Sequence, residues 1–127
     1  MKTRIESADD VKVVAAVLHD ARFTEDKIQF DETSHGFNLE CWLPEPKGTA
    51  KRAKRPWKAY RLSISNVLAC KAKATEKVRY YELSTILFSE RNRRLDLISH
   101  YGIRISLQVG ELNGSLTETG AIHDGWD

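Results

Sequence analysis

The sequence predicts an α+β fold in which one N-terminal helix packs on a mainly antiparallel sheet of about six or seven strands. Three observations carry this expectation. Apolar residues recur at helical spacing between positions 11 and 18, the apolar period falls to two after about residue 27, and no Pro/Gly/Ser-rich linker divides the chain. Residues 1–127 are therefore expected to form a single domain, with the sheet curled into a small open barrel or a split sandwich.

The helix comes first. Ser7 is a good N-cap and Asp10, three residues on, completes a weak capping box. Val11, Val14, Ala15 and Leu18 follow the i, i+3, i+4, i+7 rule, and Val13 and Val17 widen the stripe. The helix is expected to cover one face of the sheet.

In "KIQFDETSHGFNLECWLP" the alternation of Ile28 and Phe30, then of Phe37, Leu39, Cys41 and Leu43, predicts a β-hairpin turning at "ETSHG". Pro44 and Pro46 end its second strand, because proline has no N–H for the ladder. Residues 45–57 are expected to form a basic inter-strand loop. A third strand runs from about Ala59 to Lys71, with Tyr60, Leu62 and Ile64 on one face and a bulge or break where the phase slips at Asn66. "YYELSTILF" reads as a central strand, "SERNRR" as a turn, and "LDLISHYG" and "IRISLQV" as two more strands around Gly102. Leu112 and Leu116 lie four apart in "GELNGSLTETG", which suits a short C-terminal helix weakened by Gly110 and Gly114. Residues 121–127 are expected to be a flexible tail. Seven strands closed by a helix is also the order of a pleckstrin-homology-like barrel, an analogy of fold that says nothing of function.

Taken in order, "ADDVKVVAAVLHDA", "FNLECWL", a basic loop, "YRLSISNVLACKAKA", "ELSTILF" and "IRISLQVGELNGSLTETG" resemble a bacterial family of small uncharacterised proteins, a domain of unknown function. Where that pattern has a glycine pair before its last strand, this chain has His100, Tyr101 and Gly102. The resemblance implies a bacterial cytoplasmic protein and transfers no functional residue.

Composition narrows the classes of function. The longest apolar run, Val13 to Leu18, is far short of the ~20 residues of a membrane helix, and "MKTRIESADD" contains no secretory apolar stretch, so a cytoplasmic protein with no membrane partner is expected. Cys41 and Cys70 fit reduced, buried thiols, and their spacing matches neither a zinc nor a CxxC motif. The chain holds no phosphate-binding glycine loop, no GxSxG and no HExxH. His19, His35, His100 and His123 fall in four different segments. Asp96 and His100, four apart on a strand, would stand ~13 Å from each other, and Glu82 is the acid expected to sit partly buried. No catalytic residue, metal or cofactor is expected, and the first reading is a non-catalytic interaction or scaffold domain.

The alternative is nucleic-acid or other polyanion binding through residues 47–58. The net charge is +2, but Lys47, Lys51, Arg52, Lys54, Arg55 and Lys58 place six cations in twelve residues without an acid, and the other residues carry a net −4. Trp57, beside these cations, offers a stacking ring. The acidity of the remainder makes an acidic protein or a second copy of the chain a further candidate partner. Trp42 alternates out of phase with Leu39, Cys41 and Leu43, so it is either covered by another element or an exposed contact residue.

Overall fold

The chain enters the sheet before it enters the helix. The computed structural model describes residues 2–45 and 56–124. Strand β1 (Lys2–Ile5) leads into helix α1 (Ala8–Val17). Seven strands follow: β2 (Arg22–Phe23), β3 (Ile28–Asp31), β4 (Gly36–Pro44), β5 (Pro56–Ala74), β6 (Tyr81–Ser89), β7 (Arg94–Ser99) and β8 (Ile103–Asp124). The described residues therefore hold eight antiparallel strands and one α-helix, so the molecule is dominated by sheet.

The helix starts where the sequence places it. The Ser7 hydroxyl accepts from the Asp10 amide at 3.2 Å, and the Asp10 carboxylate accepts from the Glu6 amide at 2.8 Å. Val11, Val14 and Leu18 are buried against β1 and β6, whereas Val13 and Val17 face solvent. The buried stripe is thus narrower than the valine run suggested.

Strands β3 and β4 form the expected hairpin, and β4 buries Phe37, Leu39 and Cys41 on its inner face. The long strands β5 and β8 pair along most of their length and dominate the sheet. The phase slip at Asn66 is a true irregularity: the β5–β8 register shifts around Val67, and Asn66 takes a left-handed φ of 56°. Beyond it β5 leaves β4. The first half of β8 then pairs with β5 on one edge and β7 on the other, and residues 114–117 pair with β5 and β1. Followed through β4, β5, β8, β7, β6 and β2, the pairings return to β4. Ile5, Leu18, Phe23, Phe37, Leu62, Leu83, Leu97, Ile105 and Leu116 are fully buried within this circuit.

Three expectations are corrected. No C-terminal helix forms: residues 110–120 continue β8, with Leu112 and Leu116 on the inner face at a period of two and Gly114 between them. Glycine is required there because a Cβ would lie 2.4 Å from the Ser63 carbonyl oxygen. Residues 121–124, expected in the tail, extend β8, and residues 122–124 pair with Lys58, Trp57 and Pro56; residues 125–127 lie outside the described residues. The strand count also rises to eight, because β1 and the two-residue β2 join the sheet.

Candidate functional site

Lys47, Lys51, Arg52, Lys54 and Arg55, five of the six expected basic contacts, lie outside the described residues. The residues that flank them are well placed. β4 and β5 stay in register as far as Pro44 opposite Trp57, and the Glu45 amide donates to the Pro56 carbonyl at 2.9 Å. The two ends of the basic stretch are therefore tied together.

Lys58, the sixth cation, is engaged within the fold. Its Nζ stands 3.2 Å from Glu45 and 3.4 Å from Glu118, and these hydrogen bonds and charges hold its ammonium above the usual lysine range. Trp57 is only 4% exposed, and its ring lies 4.5 Å from the Arg22 guanidinium. The same guanidinium lies 4.3 Å from the Tyr80 ring on another strand connection, and Glu82 Oε2 approaches Arg22 Nε to 3.6 Å. A cation held between two aromatic faces and a carboxylate joins β2, β5 and β6 on the outer side of the sheet. Trp42 is half-buried on that side, opposite Arg22 on one edge and Ala59 on the other. Glu82 is thus accounted for as an ion-pair partner on the outer face.

Asp96 and His100 do not meet. Asp96 is buried, and it accepts from the Ser106 hydroxyl at 2.6 Å, from Arg94 Nε at 3.1 Å and from Arg104 Nη2 at 3.2 Å. Burial pushes its carboxyl up, but the Ser106 hydrogen bond and the two arginines outweigh that and leave it below the usual carboxylate range. Cys41 is buried, and desolvation pushes its thiol up to about 12, which suits a packing residue and not a nucleophile. Cys70 is half-buried and is shifted upward for the same reason.

His100 instead reaches across the molecule. Its Nε2 lies 2.6 Å from Asp20 Oδ1, and His19 Nε2 lies 3.6 Å from the same oxygen. The two imidazoles meet edge to face, with centroids 5.5 Å apart. One donor atom from each of His19, Asp20 and His100 falls within 4.8 Å of the other two. All three side chains are exposed, and His19 and Asp20 line a cavity of about 540 Å³ together with Leu43, Glu45, Lys58 and Tyr60. The sequence offered one local hint, the adjacent His19 and Asp20 at the helix end. Their meeting with His100 depends on strand pairing between segments 80 residues apart.

No protein-family model, no curated protein and no solved structure matches this chain.

Proposed function

We propose that the protein is a non-catalytic interaction domain that meets a polyanion, nucleic acid foremost, through the basic segment between Glu45 and Pro56. The observation that carries this reading is the closed ladder at the base of that segment. β4 and β5 are paired up to Pro44 and Trp57, and a backbone bond joins Glu45 to Pro56. The ten residues between these tied ends carry five cations and no acid. Lys58 is paired with Glu45 and Glu118, and buried Trp57 serves as an anchor, so the contact is assigned to Lys47, Lys51, Arg52, Lys54 and Arg55.

The non-catalytic character draws support from the buried ionisable groups among the described residues. Asp96 is a structural acceptor and Cys41 a packing residue. The return of the pairings to β4 supports a small open barrel. Chain composition, with two widely spaced free cysteines, fits a reducing cytoplasmic setting.

The test is the salt dependence of duplex DNA binding. If about five phosphates are neutralised, log K falls against log salt with a slope near −4 to −5. Replacing Lys51, Arg52, Lys54 and Arg55 with alanine leaves one cation and flattens the slope to about −1. No binding at low salt, or an unchanged slope in the variant, overturns the assignment. Salt-sensitive self-association in place of DNA binding would move the contact to a second copy of the chain.

A further inference from the structure

We propose that His19, Asp20 and His100 form a binding site for a borderline divalent transition-metal ion, zinc foremost. This goes beyond the polyanion reading and does not depend on it.

The first argument is the donor set. Two imidazoles and one carboxylate are the nitrogen and oxygen ligands that hold zinc in sites with an open position. Imidazole nitrogens also select against magnesium and calcium, which take oxygen ligands. In a tetrahedral site with bonds of about 2.0–2.1 Å, neighbouring donor atoms stand about 3.3 Å apart. Here the separations from Asp20 Oδ1 are 2.6 Å to His100 Nε2 and 3.6 Å to His19 Nε2. All three donor atoms lie within 4.8 Å of one another and belong to exposed side chains, which are free to adjust these separations.

The second argument is tautomer control. His19 Nδ1 lies 2.8 Å from the Ser84 carbonyl oxygen. A carbonyl only accepts, so Nδ1 carries the proton and the Nε2 lone pair of the neutral ring points toward Asp20. A backbone carbonyl on the far nitrogen is the usual support of a metal-bound histidine. That carbonyl is available because the β6–β7 register shifts between Leu83 and Thr85 and leaves Ser84 without an opposite residue on β7.

The third argument is backbone anchorage. Three consecutive residues of β6 hold all three candidate ligands. The Glu82 carbonyl accepts from the His100 amide at 2.9 Å, the Leu83 carbonyl accepts from the Asp20 amide at 2.8 Å, and Ser84 holds the His19 ring. Asp20 sits at a φ of 68°, a left-handed conformation that aspartate and asparagine tolerate, and this turns its carboxylate between the two rings. Two of the three candidate ligands, His19 and Asp20, also line the cavity that contains Glu45 and Tyr60.

To coordinate through Nε2, the neutral His100 ring carries its proton on Nδ1 instead, and because protons compete with the ion for the imidazole nitrogens, binding is opposed by acid. The experiment is titration of the untagged protein with zinc chloride by calorimetry. Histidine ring resonances are followed by NMR, and the visible absorption of a cobalt(II) complex is recorded. One equivalent is expected to bind, shifting the ring signals of His19 and His100 and leaving those of His35 in place. Excess magnesium should not compete. His19→Ala and His100→Ala should each weaken binding about 100-fold or more. Asp20→Asn keeps a residue suited to the left-handed backbone and should weaken binding while the circular dichroism spectrum stays unchanged. Absence of binding by the intact protein overturns the proposal. So does undiminished binding by the His19→Ala/His100→Ala double variant, or a zinc-induced shift confined to other histidines.

Discussion

Asp96 shows how one buried carboxylate is kept ionised by its neighbours. Three donors from β7 and β8 surround it, and both arginines remain about half-exposed while the carboxylate does not. An aspartate in the unfolded chain titrates near ~3.9, and the folded value lies below that. A depressed folded value means that the unfolded state takes up its proton first as pH falls. The stabilisation by Asp96 is therefore complete above the unfolded value and is lost as pH drops through the folded one. Asp96→Asn should cost about 2 kcal/mol at neutral pH, because a charged acceptor is lost while its donors stay in place. Urea midpoints measured at neutral pH and near pH 3 should lie closer together for the two proteins at the acid end. An equal gap at both pH values would show that the carboxylate charge is not what Asp96 supplies.

At the scale of elements, the β5–β8 pair sets the geometry, and Gly114 is its tightest point. Gly114 faces Ile64 in the ladder, and a methyl group there would meet both the Ser63 carbonyl oxygen and, at 2.7 Å, Ile64 Cδ1. Gly110, on the same strand, has only Asn66 near, at 3.9 Å. Gly114→Ala should therefore lower stability by about 1–3 kcal/mol, while Gly110→Ala should change it by much less. Thermal unfolding of the two variants checks this, and equal losses would mean that strand entropy and not crowding governs both.

The same glycine explains why the sequence predicts a helix where β8 continues. With a glycine on the inward position between Leu112 and Leu116, a period of two looks like a spacing of four. Strands β1 and β2 were hidden for a different reason. Four residues and two residues are too short to display alternation, and both are held by partners distant in sequence. The helix, the β3–β4 hairpin and the irregularity at Asn66 were legible because each is specified locally, by the Ser7 cap, by strict alternation and by a break in that alternation. Of the candidate sites, the cation cluster is a property of sequence and was visible at once. The His19–Asp20–His100 group needs the β6 backbone to assemble it, so nothing short of the tertiary structure reveals it.

At the scale of the whole molecule, the pairing circuit is strong on one side and thin on the other. β5 and β8 share a ladder that runs from Pro56 to Ala74, whereas β2 closes the circuit with Arg22 and Phe23 alone. Side chains compensate in part. Phe23 is buried beside Tyr81, with ring centroids 5.6 Å apart, and Arg22 is held by Trp57, Tyr80 and Glu82. Opening β2 exposes one large apolar side chain, about 1.5–3 kcal/mol, and breaks one cation–aromatic cluster of about 2 kcal/mol. Together these come to no more than the lower end of the 5–15 kcal/mol that separates most folded chains from the unfolded state. Local opening at β2 should therefore precede global unfolding. In native-state hydrogen exchange, the amides at the β2 pairings should exchange through a low-energy opening that is insensitive to dilute denaturant. Amides of Leu62, Leu107 and Leu116 should exchange only with the whole molecule. Arg22→Ala should speed the first class and leave the second nearly unchanged. If all of these amides instead share one exchange free energy, the circuit closes cooperatively and β2 is as secure as the long strands it joins.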